Sequence, residues 1–148
     1  MQGILSNHVL LTALVAWALS QTLKVPLNYL QTRSWNWALL FTVGGMPSSH
    51  SALMTATAHA IGLHIGFDSA LFALAVAITM VVTYDATGVR QQAGKHAEII
   101  NTLIHDLATG HPLKGEQLRE VLGHTPLQVV GGVLMGLTVA QLFWVIWR

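Results

Sequence analysis

Residues 44–52 read Gly44-Gly45-Met46-Pro47-Ser48-Ser49-His50-Ser51-Ala52, and small residues then recur at Ala56, Ala60 and Gly62 up to about Gly66. A glycine turn thus runs into Pro-Ser-Ser-His. The glycines and serines leave backbone N–H groups available at a helix start, a serine caps it, and a histidine sits in the first turn. That is a geometry for handling phosphate. The helix that follows is uncharged and rich in small residues, which suits close packing inside a membrane bundle rather than contact with lipid. A second histidine precedes a second helix start, His124 in Gly123-His124-Thr125-Pro126.

Of the 148 residues, 53% are hydrophobic and 9% are charged, against roughly 25% charged in soluble domains. The chain reads as a small integral membrane protein, all-α, with one membrane domain over residues 1–148. A net charge of +1 gives no reason to expect nucleic-acid binding. The absence of cysteine excludes disulfides, a thiolate nucleophile and cysteine-ligated zinc. No basic n-region precedes the first apolar run, so that run is expected to be retained rather than cleaved.

The pattern predicts an integral membrane bundle of about four transmembrane helices, at residues 4–23, 49–66, 70–84 and 127–147. Ile4 to Leu23 is about twenty residues without a charge, enough for a hydrocarbon core of roughly 30 Å. Lys24-Val25-Pro26 is expected to end it. Trp35 to Val43 is apolar but too short to span at ~1.5 Å per residue, so it is expected to lie at the interface or to dip in and return. Residues 85–123 are expected to form a cytoplasmic segment, in which Ala93, Ala97, Ile100, Ile104 and Leu107 mark an amphipathic helix. Gly132 and Gly136, four apart in the last span, permit close contact with another helix, and four short spans make a bundle thin enough that a homodimer is one expectation.

Basic residues set the orientation. If the first and third spans end on one side, Lys24, Arg33, Arg90, Lys95, Lys114 and Arg119 all fall there and only Arg148 lies opposite. The positive-inside rule makes that side cytoplasmic. Ser49-His50 and His124-Thr125 then face the cytoplasm together, because the second and last spans both leave from it. Two helix N-termini, each worth roughly half a positive charge, with nearby cations form a site for a dense anion, and at a membrane that anion is a lipid phosphate head group. Two histidines suffice there for phosphoryl transfer without metal or cofactor: one imidazole attacks phosphorus, the other protonates the leaving alkoxide, and water releases the phosphohistidine.

Pro47-Ser48-Ser49-His50 resembles the Pro-Ser-Gly-His motif of the type 2 phosphatidic acid phosphatase (PAP2) superfamily, which includes the vanadium haloperoxidases. Gly123-His124-Thr125-Pro126-Leu127-Gln128-Val129, followed by Gly131-Gly132, resembles its third motif. Together with Tyr84-Asp85-Ala86-Thr87-Gly88-Val89-Arg90, these blocks are similar to the divergent branch of that superfamily, small membrane proteins of bacteria and plastids. The resemblance implies a bacterial inner-membrane or plastid-membrane location, with His124 as nucleophile, His50 as general acid, and Lys24, Arg33, Ser48 and Ser49 as phosphate ligands. The chain departs from the superfamily pattern at several points. Arg33 follows Lys24 by nine residues rather than seven, and Ser34 replaces proline. The arginine nearest before His124 is Arg119, at five. Gln128 stands where an aspartate would orient the histidine. Asp85 is therefore expected to replace that carboxylate, and Arg90 to supply a phosphate contact.

Thr125-Pro126-Leu127-Gln128 also reads as a capping box, compatible with a role for Gln128 beside His124. His59 and His64 lie along the second span away from the phosphate site and read as packing or interfacial residues. His96, His105 and His111 show no convincing ligand spacing, so no metal site is expected. The leading expectation is a lipid phosphate phosphatase acting on phosphatidylglycerophosphate or phosphatidic acid. Its alternative is a catalytically silent module of the same fold that binds anionic lipid or assembles with a partner. A small transporter subunit is the weaker third, since no charge is expected mid-span.

Overall fold

The computed structural model describes residues 3–42, 44–108 and 123–147. Five α-helices follow in order: α1, His8–Thr32; α2, Ser49–Ile65; α3, Ala70–Thr87; α4, Val89–Ala108; and α5, Pro126–Trp147. Short 3-10 turns occupy Ile4–Ser6 and Trp37–Leu40. The protein is a helical membrane bundle. By length and composition, α1, α5 and α3 running on into α4 can each cross a membrane.

The first helix corrects the expected boundary. It begins at His8, where the Asn7 side chain accepts the Leu10 N–H at 3.0 Å, and it passes through Pro26 to Thr32. Arg33 then closes it in the left-handed conformation, φ 57°. Membrane helices admit a proline when neighbouring groups absorb the one lost hydrogen bond. Lys24 does not mark a flank either, because its side chain turns into the bundle and is 2% exposed.

Beyond Arg33 the chain folds back down α1. Gln21 Nε2 donates to the Leu40 carbonyl at 2.9 Å and lies 3.4 Å from that of Thr42. Gln21 sits eleven residues before Thr32, roughly 16 Å along the axis at 1.5 Å per residue. The segment therefore dips in and returns, with Tyr29, Trp35 and Trp37 stacked nearer the helix end at centroid separations of 4.4 and 5.7 Å.

Helix α2 is the central post. Ser49, Ser51, Ala52, Thr55, Ala56, Ala58, Ala60 and Gly62 are buried on it, and it packs on α1, α3 and α5. Its 17 residues match the expected span to within one residue at its end. A helix enclosed by others need not match the bilayer thickness. Ala16, Ala56 and Val139 form the core where α1, α2 and α5 meet.

The Gly132/Gly136 face is used within the chain. A Cβ on Gly136 would lie 2.6 Å from the Ala52 carbonyl oxygen, and one on Gly132 would collide with that of Ser48. These glycines let α5 approach the α2 backbone within the chain. The register rises together along both helices: Gly132 meets Ser48 and Ala52, Gly136 meets Ala52 and Ala56, and Gln141 reaches His59 at 3.2 Å. The two helices are therefore parallel and start at the same end of the bundle.

Helix α3 returns antiparallel after a short turn capped by Ser69, with Thr79 Oγ1 donating to the Met54 carbonyl at 3.2 Å. It ends three residues later than expected, at Thr87, and takes in Asp85. Gly88 separates it from α4, which among the described residues packs on α3. At the opposite end of the bundle, His8 meets His64 edge-on at 5.7 Å and lies against Trp147 at 4.4 Å.

Candidate active site

The start of α5 is a complete capping box. Thr125 Oγ1 accepts the Gln128 N–H at 3.4 Å, and Gln128 Oε1 accepts the Thr125 N–H at 3.1 Å. The same oxygen lies 3.1 Å from His124 Nδ1. The backbone N–H of His124 donates to the Ala86 carbonyl at 3.0 Å, pinning it to the last turn of α3. Its side chain is held in a dry environment, 4% exposed.

The start of α2 is bound to that of α5. Ser48 N–H donates to the Gln128 carbonyl at 2.9 Å, while Ser48 Oγ accepts the Ser51 N–H at 3.3 Å and the Ser51 hydroxyl at 3.0 Å. Ser48 and Ser49 are buried and His50, next along the helix, is exposed. Two positive helix ends therefore lie side by side.

Lys24 faces a cleft of about 230 Å³ beside these helix starts, lined also by Asn28 and Gln31 of α1, Gly45 and Met46 of the returning segment, and Thr125 and Gln128. Gly44 and Gly45 take φ of 105° and 80°, a conformation that requires glycine, and Gly45 thereby lies against the Lys24 stem. The Lys24 ammonium has one polar contact, the Thr42 carbonyl at 3.5 Å, and no carboxylate among the described residues. A buried cation without a counter-charge is costly unless an anion joins it.

The structure thus brings Lys24, Ser48, Ser49 and His124 to one end of the bundle, with His50 on the first turn of α2. Asp85 lies in the last turn of α3, next to Ala86. Gln128 Oε1 lies 3.1 Å from Nδ1 of the His124 ring. Arg33 is exposed at the end of α1 and does not line the cleft. Arg90 belongs to the first turn of α4. Arg119 lies outside the described residues.

The sequence profile of the Divergent PAP2 family matches residues 5–139. The chain belongs to that family. A relative in Bacillus subtilis (strain 168), the uncharacterized membrane protein YuiD, is 39% identical over 145 residues, covering 90% of this chain and 92% of that protein. No solved structure matches the chain significantly. In this member of the Divergent PAP2 family, three polar groups beside the site escaped the sequence reading: Gln21, Asn28 and Gln31. Lys24, Asn28 and Gln31 recur at helical spacing and share one face. The assumption that Pro26 ended the helix hid that face.

Proposed function

We propose that this protein is a metal-independent lipid phosphate phosphatase that hydrolyses a membrane phosphomonoester through a phosphohistidine intermediate. The observation that carries the reading is Lys24: a buried ammonium with no carboxylate partner among the described residues, lining a cleft that Gln128, beside His124, also lines. In the reaction, His124 Nε2 forms a bond to phosphorus as the ester P–O bond breaks, and His50 gives its proton to the departing alkoxide. Lys24, the helix-start N–H groups and the Ser48 and Ser49 region stabilise the phosphoryl oxygens, with Arg90 and Arg119 as further cations. Arg33, at the exposed end of α1, attracts the anionic substrate toward the cleft. Water then attacks phosphorus, His50 takes its proton, and inorganic phosphate leaves.

The site faces the cytoplasm in this reading. With Lys24 inside the bundle, Arg33, Arg90, Lys95, Lys114 and Arg119 still outnumber Arg148. Phosphatidylglycerophosphate or phosphatidic acid, available on that side, fits better than an isoprenyl phosphate processed outside. Release of inorganic phosphate from a panel of such lipids tests the proposal, with EDTA present and His124→Ala as control. Turnover that survives in the His124→Ala protein would overturn it.

The neutral Gln128 in place of a carboxylate favours a second reading, a silent module that binds anionic lipid in the same cleft. Vanadate binding without phosphate release from any lipid monoester would select that alternative.

A further inference from the structure

The face of α5 turned away from Gly132 and Gly136 carries a pattern of its own. Leu127, Val130, Leu134, Leu137 and Gln141 follow one another at steps of three, four, three and four residues, and all five are exposed. Apolar side chains repeated in that way form the seam along which two helices interlock, at the small left-handed crossing common in membranes. Lipid covers four of these residues as well as a helix would. Gln141 is the exception.

Gln141 stands six residues before the end of α5, roughly 9 Å inside it at 1.5 Å per residue. At that depth in a bilayer no water reaches a polar group. Exposed hydroxyls in the spans are spent on their own helix: Thr22 donates to the Ala18 carbonyl at 3.0 Å and Thr138 to that of Leu134 at 2.8 Å. A carboxamide has too many bonding positions for that. Gln141 Oε1 lies 3.2 Å from His59 Nε2, which leaves both N–H donors of its NH₂ group without a partner among the described residues. A cavity of about 460 Å³ opens beside the pair, lined by His59, Leu137, Thr138, Gln141 and Leu142.

We propose that this face of α5 docks a second copy of the chain, in a two-fold dimer in which Gln141 of each copy donates to the carboxamide oxygen of the other. A carboxamide carries donor and acceptor together, so two of them across a two-fold axis satisfy each other, and an acyl chain offers neither. Both copies insert the same way round, so the axis lies along the membrane normal and the two α5 helices run parallel. One polar residue in an otherwise apolar seam is the arrangement that sets register in parallel helix pairs. Gly132 and Gly136 stay against α2, so the dimer leaves the packing within each chain intact. The dimer does not depend on what the cleft at Lys24 binds.

The test is disulfide crosslinking in native membranes, where a chain without cysteine makes single substitutions readable. Leu134→Cys and Leu137→Cys should each give a covalent dimer on oxidation, whereas Leu74→Cys and Ile78→Cys, exposed on α3, should give none. The second arm is energy transfer between donor- and acceptor-labelled Ser34→Cys copies in lipid vesicles. Adding Gln141→Leu, a change that suits lipid and spares the fold, should raise the dissociation constant roughly three- to twentyfold. Gln141→Asn, which keeps the carboxamide, should stay closer to the wild type. Equal crosslinking from the α3 positions, none from either α5 position, or an unchanged dissociation constant in Gln141→Leu overturns the proposal. A wild-type chain that stays monomeric in both arms also overturns it and leaves lipid as the cover of this face.

Discussion

The backbone N–H of Ser48 donates to the carbonyl oxygen of Gln128 at 2.9 Å, tying the first residue before α2 to the first turn of α5. Through this bond two stretches 80 residues apart become one structure. Gln128 serves both, with its carbonyl on the α2 cap and its amide on His124. Lys24 approaches the same place from α1. The site is thus held where α2 and α5 pack on each other.

Lys24 is a residue kept at a cost to the empty protein. Lys24→Met preserves side-chain length and removes a buried charge that has no carboxylate partner among the described residues, so the apo protein should be as stable or more stable. It should also lose the response to a phosphate mimic. Vanadate at a hundredfold excess over its dissociation constant should stabilise the wild type by about 2.7 kcal/mol and the variant by almost nothing. Thermal unfolding in detergent, with and without vanadate, measures both. A variant that loses stability and keeps the vanadate response would contradict the assignment.

The glycines of α5 should separate by what each one touches. Gly132→Ala and Gly136→Ala drive a methyl into the α2 backbone and should each cost about 1–3 kcal/mol. Gly131→Ala meets only Met46 Cε at 3.5 Å and Pro47 Cβ at 3.6 Å, which is ordinary contact. Its gain in helix propensity should leave it neutral or stabilised by up to about 1 kcal/mol. Denaturation midpoints of the three variants check the order. Gly132→Ala should also reduce phosphate release, because the atom it displaces belongs to Ser48.

Gln21 should control the returning segment more than it controls global stability. Its Nε2 holds the Leu40 carbonyl, while its Oε1 is buried without a partner. Gln21→Leu removes a hydrogen bond worth about 1 kcal/mol and a buried unpaired acceptor together, so the net change in stability should be under about 1 kcal/mol. The segment above Lys24 should nonetheless open more often. Hydrogen exchange at residues 39–45 should accelerate roughly fivefold or more in this variant, with the amides of α2 unchanged.

What the sequence disclosed depended on the kind of signal. The starts of α2 and α5 were legible, since Ser48 and Thr125 carry their own chemistry, and the capping box was readable from Thr125 to Gln128 alone; the start of α1 was not, because its Asn7 cap lies inside the apolar run. The convergence of the two histidine-bearing ends followed from counting spans. The end of α1 was not legible: Pro26 is a stop in a water-soluble helix but is passed here, and that error concealed Asn28 and Gln31. The Gly132/Gly136 spacing announced close packing without naming the partner, because a contact between helices looks the same in one chain as between two. Gln128 was visible as a departure from a pattern. Its contact with the His124 ring needed coordinates.

Sidedness decides which lipids the cleft can meet, and single cysteines can measure it because the chain has none of its own. Ser34 is exposed just beyond α1, at the end that carries His124, and Asp68 is exposed in the turn between α2 and α3, at the other end. Ser34→Cys should be shielded from a membrane-impermeant maleimide in intact cells and labelled after permeabilisation. Asp68→Cys should be labelled at once. This follows from the five basic residues left on the Ser34 side after Lys24 is removed from the count. Neither position lines the cleft, so both variants should retain wild-type phosphate release. The reverse labelling pattern would turn the site outward, and the substrate would then have to be a phosphomonoester presented on the outer leaflet.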